Sequence, residues 1–238
     1  IFSSGRESDG KSLKSVRREA KSARRRRDRF KQRQIKLINE LVRSGLMPCD
    51  GNERQELAKK DPYDIRKRAL DKAVTPFEMG RAIFHINQRR GFKSNRKSGD
   101  SEAGVVNQSI IELRDKLADN GARTIGEFLA DRHGSLDENN KYKLNTKGNT
   151  VRARRLGTGT AALYEFYPNR AMLEQEFDEL WKKQVEYDAS LYNEEAKERI
   201  KEVVFFQRKL KPQEVGRCTF FPEEHRIAKA MPSFQRFR

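Results

Sequence analysis

Apolar residues are sparse in this chain, and where they gather they recur at three- and four-residue spacing. Ile35, Leu37, Ile38, Leu41 and Val42 form such a group, preceded from Lys14 by a long stretch with few apolar positions and no Pro or Gly. The pattern predicts one helix from about Ser12 to Ser44, with Gly45 supplying the left-handed residue at its end and Pro48 preventing continuation. Asn52 to Lys60 reads as a short helix. Asp61-Pro62 and Thr75-Pro76-Phe77-Glu78 each place an N-cap before a Pro at the first helical position, and the second adds a capping box. In the helix that Thr75 opens, Phe77, Gly80, Ile83 and Phe84 fall at core spacing, and Gly91 is the stop. Lys97 to Gly104, rich in Ser and Gly, reads as an exposed loop. Ile110, Ile111, Leu113 and Leu117 mark a helix closed by Gly121, and Thr124-Ile125-Gly126-Glu127 opens a shorter one.

From His133 to Thr150 polar residues dominate, which predicts a long loop or hairpin insertion with room for a sparse strand pair. Leu173, Phe177, Leu180 and Trp181 then form one apolar stripe, and Ala196, Ile200, Val203 and Val204 another, as expected of two antiparallel helices that bury these faces. The predicted fold class is therefore mostly α: a long arginine-rich helix, then a multi-helix body with a small hairpin insertion. No repeat period is visible.

Charge changes this picture. The 238 residues carry 52 Lys plus Arg against 35 Asp plus Glu, a formal net charge of +17, which makes nucleic acid the default partner. The excess is focused: Lys11 to Arg43 holds 14 basic and 3 acidic residues, whereas Met172 to Glu202 holds 10 acidic and 5 basic and reads as framework. At about 100° of rotation per residue, Arg24, Arg25, Arg26 and Arg27 point in four directions. Arg17, Arg18, Lys21 and Arg29 complete a cationic surface all the way round the helix until Phe30, and Lys31 and Arg33 follow it. Runs of like charge also occur as disordered basic arms. The continuation into the stripe from Ile35 to Val42 favours a helix anchored at one end, with polyanion on several sides.

The remaining chemistry narrows the function. Cys49 and Cys218 lie far apart with no CxxC pair, and His85, His133 and His225 are scattered, so neither a disulfide framework, a zinc site nor a nucleophilic triad is supported. Each histidine reads as structural or phosphate-facing. There is no GxxxxGK[ST] loop and no GxGxxG, and acidic pairs such as Glu194-Glu195 and Glu223-Glu224 sit where solvated roles dominate. Nothing in the pattern argues for catalysis, a metal ion or another cofactor. No stretch has the apolar length to span a bilayer, no signal peptide is visible, and a reducing, cytoplasmic setting fits the cysteine usage. A second basic constellation, Asn87-Gln88-Arg89-Arg90-Gly91-Phe92-Lys93-Ser94-Asn95-Arg96, joins guanidinium groups for bidentate phosphate contact to Phe92, a candidate for stacking on a base. Val151-Arg152-Ala153-Arg154-Arg155 is a weaker third patch.

Ile1-Phe2 with Gly5-Arg6, followed by Arg24-Arg25-Arg26-Arg27-Asp28-Arg29, resembles the start of the bridge helix in type II CRISPR effector nucleases, the Cas nine family. The block from Arg81 to Phe92 is similar to that family's His-x-x-x-Arg-Arg-Gly-Phe segment. Met172 to Gln184, and Gly216-Arg217-Cys218-Thr219-Phe220 with Pro222 and Glu224, resemble recognition-lobe segments of the compact II-C members. The resemblance implies a bridge helix with its lead-in over 1–45 and a truncated helical recognition region over 46–238, cut from a longer bacterial protein. It implies that Arg17, Arg18, Lys21, Arg24, Arg25, Arg26, Arg27, Arg29, Arg33, Arg89, Arg90, Lys93 and Arg96 meet the phosphates of guide RNA, crRNA with tracrRNA, and of its heteroduplex with target DNA. It further implies that cleavage, with its Mg²⁺, belongs to parts of the parent nuclease outside this chain. The alternative occupant of the same basic surface is an acidic anti-CRISPR inhibitor that blocks guide loading.

Overall fold

The computed structural model describes residues 10, 12–91, 101–134, 155–156, 163–164 and 167–207. Residues 1–206 form one compact unit and 207–238 a second, of which only Gln207 is described. The described residues contain eight helices: α1 Leu13–Arg43, α2 Gly51–Lys59, α3 Pro62–Arg68, α4 Pro76–Gln88, α5 Ser101–Asp119, α6 Ile125–Gly134, α7 Arg170–Val185 and α8 Glu194–Phe205. One antiparallel ladder joins β1 (Arg155–Leu156) to β2 (Leu163–Tyr164), with Arg155 opposite Tyr164 and Leu156 opposite Leu163. The mostly α architecture expected from the periodicity is the one found.

Caps fix the starts. Ser12 Oγ accepts from the Ser15 amide, Asp50 from Asn52 and Glu53, and Asp61 from Tyr63. Thr75 and Glu78 close a reciprocal capping box with Pro76 at the first helical position. These orphan amides would otherwise lack partners. Gly45, at φ +70°, turns the chain out of α1 as predicted, and its amide and that of Leu46 return to carbonyls of the last helical turn.

The core lies where α1, α3, α4, α6, α7 and α8 meet, with Leu37, Leu41, Met79, Ile83, Ile86, Phe177, Leu180, Trp181, Ile200 and Val204 buried in one cluster. Both stripes predicted for α7 and α8 face it. Trp181 stacks on Phe177 at 5.7 Å and donates its indole N–H to the Tyr192 carbonyl at 3.1 Å. Gln184 holds the connection between α3 and α4: its Nε2 donates to the carbonyls of Ala69 and Lys72, and its Oε1 accepts from Val74. Among the described residues no helix is long and apolar enough to cross a membrane.

Three expectations are corrected. Phe77, expected at core spacing, is 43% exposed, because it stands two residues, about 200° of helical rotation, from Met79 on the buried stripe of α4 that Ala82, Ile83 and Ile86 continue. Ser101 to Gly104 is the first turn of α5 and not loop. His133 and Gly134, expected as the start of the polar insertion, end α6 instead; the rest of that insertion, up to Thr150, lies outside the described residues.

Gly80 lets α4 approach the turn after α1, since a Cβ there would land on the Leu46 carbonyl. Backbone cannot swing away as a flexible side chain can, so Gly80→Ala is expected to destabilise by about 1–3 kcal/mol. Gly51→Ala is the control, because its Cβ would meet only Arg54 at 3.9 Å. Urea melts of the two variants check the contrast; equal midpoints would show that α4 does not depend on this contact.

Candidate nucleic-acid interface

The cationic run occupies the outer part of α1. Thirty-one residues of helix span about 46 Å, and burial begins only at Leu37. Every residue from Arg17 to Arg29 is exposed, so Arg17, Arg18, Lys21, Arg24, Arg25, Arg26, Arg27 and Arg29 present their charges around the whole circumference. Arg27 Nε lies 4.0 Å from Asp28, with both side chains exposed, a separation that compensates little in water. Arg25 with Arg29, and Arg29 with Arg33, are like charges four residues apart and oppose the helix slightly. This segment gathers positive charge where an incoming phosphate backbone can reach it.

At the root of that segment the basic residues enter the framework. Arg33 is half-buried; its guanidinium lies 5.5 Å over the Phe30 ring and donates from Nε to Asn87 Oδ1 at 2.9 Å. Arg89 donates to the Tyr63 hydroxyl at 2.9 Å. Arg90 donates to the Phe206 carbonyl, and Arg170, at the start of α7, donates from Nη1 to the Phe205 carbonyl at 3.4 Å. Helix α8 has no basic residue in its own last turn, so cations from two other elements serve its carbonyl end. Gly91, at φ +74°, makes this convergence tight: a Cβ there would stand 2.5 Å from the Asn169 carbonyl oxygen, where α7 begins.

The arginines feel one another. Burial, and then the charges of Arg33 and Arg170, bring the Arg90 guanidinium down to about 10. Burial, and then Arg170, lower that of Arg33 as well. Phe92, Lys93 and Arg96 lie outside the described residues, as do the first nine residues, His225 and the stretch from Gly216 to Glu224.

Sequence reasoning missed a buried polar network behind this surface. Arg66 of α3, 3% exposed, forms a bidentate pair with Glu176 of α7, 0% exposed: Nε to Oε1 and Nη2 to Oε2, each at 2.6 Å. Glu176 Oε2 also accepts from the Gly126 amide at 2.9 Å, at the N-terminus of α6. Arg66 Nη1 lies 3.2 Å from His85 Nδ1. A guanidinium only donates, so Nδ1 is the acceptor and the imidazole proton sits on Nε2. Burial, then the charges of Arg66, Arg89 and Arg81, push His85 down to about 2. His85 is thus a neutral structural residue, one of the two roles its sequence context allowed. One signal for the network was present: Glu176 lies three residues from Leu173 and four from Leu180, on the buried face of α7.

Among the described residues no group of three or more His, Cys, Asp or Glu side chains could hold a metal ion. No family model matches the chain. The CRISPR-associated endonuclease Cas9 of Campylobacter jejuni is 31% identical over 234 residues, 94% of this chain and 22% of the relative. The crystal structure of Campylobacter jejuni Cas9 in complex with sgRNA and target DNA matches with a TM-score of 0.65 at 26% identity, over 89% of this chain and 26% of that one. A cryo-EM structure of the St1Cas9–sgRNA–AcrIIA6–tDNA59–ntPAM complex has the same fold, with a TM-score of 0.63 at 19% identity, over 88% of this chain and 22% of that one. The chain spans about a fifth of the length of the curated relative. Homology along nearly all of its own length, together with the shared fold, places the chain in the Cas9 family of CRISPR-associated endonucleases.

Proposed function

We propose that this chain holds the guide RNA of an RNA-guided nuclease, and the heteroduplex of guide and target DNA, through their sugar–phosphate backbones. The observation that carries the reading is the exposure of every residue from Arg17 to Arg29 around a helix anchored at Leu37 and Leu41. The matched Campylobacter jejuni protein is itself bound to sgRNA and target DNA. In this reading residues 1–45 are the bridge helix with its lead-in and 46–238 the recognition region. The segment positions nucleic acid and carries out no catalytic step; cleavage and its Mg²⁺ belong to other parts of the parent nuclease. Phosphate contacts position a nucleic acid without reading its bases, so scrambling the guide sequence should change affinity little.

Binding of a fluorescent stem–loop RNA with a single-stranded extension, measured across a salt series, tests this. Each neutralised phosphate releases counterions, so log affinity falls linearly with log salt. Arg25→Ala/Arg26→Ala/Arg29→Ala should make that slope shallower by about two to three. An unchanged slope would remove α1 from the contact. The same all-round exposure favours a second occupant, an acidic inhibitor protein that mimics phosphate, and AcrIIA6 is present in the matched St1Cas9 complex. Such a protein would displace the RNA probe from the wild-type chain, and its own binding would fall in the triple variant.

A further inference from the structure

Asn87 stands on the buried face of α4 and is 0% exposed. Its Oδ1 accepts from Arg33 Nε at 2.9 Å, while its Nδ2 is buried with no hydrogen-bond partner. An orphaned buried amide is destabilising, and an apolar residue of similar shape would fill the place without that penalty. The bond to Arg33 is what the amide contributes. It has a directional consequence. Asn87 takes the Nε edge of the guanidinium and the Phe30 ring lies under its face, which leaves the edge formed by the two Nη atoms. That edge still offers two parallel N–H donors, a planar fork that fits two phosphate oxygens. Arg33 makes no ion pair among the described residues, and the neighbouring charges that it feels or acts on, Arg170 of α7 and Arg90 after α4, are both cationic.

We propose that Asn87 is a positioning residue, whose Oδ1 holds Arg33 by Nε so that its Nη edge meets a backbone phosphate of bound RNA. Arg33 is then the innermost phosphate contact of the cationic helix, at the point where α1 joins α4. The inference rests on the nucleic-acid reading above and adds to it a residue that never touches the nucleic acid.

The test is a double-mutant cycle on RNA affinity, with the same fluorescent stem–loop as probe and thermal melts alongside. Asn87→Leu should melt close to the wild-type temperature, the relief of the orphaned Nδ2 offsetting the lost bond from Arg33, yet bind RNA about tenfold more weakly, the equivalent of one charge-assisted hydrogen bond. Against Arg33→Ala, the same Asn87→Leu change should cost no further affinity. Arg33→Lys keeps the charge and lacks Nε, so it should lose a similar factor, and it supplies the answer if Asn87→Leu does not fold. Wild-type affinity in Asn87→Leu or in Arg33→Lys overturns the proposal. So does an Asn87→Leu loss that persists undiminished with Arg33→Ala, because the amide would then act through the fold. If the wild-type chain binds RNA and the triple arginine variant flattens its salt slope, these failures strike the positioning role alone; a wild-type chain that does not bind RNA removes the nucleic-acid reading itself.

Discussion

Glu176→Leu is expected to lower the folding stability by about 3–5 kcal/mol. The carboxylate receives two hydrogen bonds from Arg66 and one from the Gly126 amide, so its loss strands a guanidinium and a helix-terminal N–H where water does not reach. Three helices share the damage, since Arg66 belongs to α3, Gly126 to α6 and Glu176 to α7. Removing both charges is a different case. Burial of an ion pair costs much of what its attraction returns, so Arg66→Met/Glu176→Leu should be markedly more stable than Glu176→Leu. Denaturant melts of the two singles and the double measure the coupling. A single-variant loss below about 1 kcal/mol, the range of an exposed pair, would mean that other groups take over the guanidinium.

The contrast between α4 and this network shows what a sequence can reveal. Asp61-Pro62 and Thr75-Pro76-Phe77-Glu78 set helix starts through contacts at most three residues away, so the signal and its cause lie in the same short window. The stripes of α7 and α8 were legible for the same reason. Ser101 to Gly104 was misread because Ser and Gly mark loops, although one Gly penalises a helix by only about 1 kcal/mol relative to Ala and α5 runs on to Asp119. Arg66 and Glu176 lie 110 residues apart, and nothing local marks Arg66, in the run Arg66-Lys67-Arg68, as the one that turns inward. The outer arginines of α1 were legible because their exposure follows from helical rotation alone. Arg33, Arg89 and Arg90 belong to the same basic constellations in sequence. Only the packing of α1, α3, α4 and α8 shows that their guanidiniums are tied to Asn87, Tyr63 and the Phe206 carbonyl.

His85 gives the second large effect, on the acid side of neutrality. The imidazole is 5% exposed, packs edge-on against Tyr63 at 4.8 Å and accepts from Arg66. Protonation would put a charge in a buried site that already faces Arg66 from α3, with Arg81 and Arg89 nearby on its own helix and the Arg cap that follows it. Burial, and then these charges, hold the folded value at about 2, against 6.5 for the free side chain. Between those two values the unfolded chain binds a proton that the folded chain refuses. Stability is therefore flat in this residue above pH 6.5 and falls by about 1.4 kcal/mol per unit as the pH drops below it. Carboxylates held down by hydrogen bonds, such as Glu127 beside Arg123, lose their contribution only as the pH passes through their own lower range. The interval from about pH 6.5 to 5 thus excludes the carboxylates, and comparison with a His85 variant removes whatever His133 and His225 contribute. His85→Gln cannot titrate and keeps an acceptor within reach of Arg66. Over that interval its stability should stay level relative to the wild type, whose own curve falls. Parallel curves for the two proteins would show that the proton enters without unfolding, which would require Arg66 to release the imidazole.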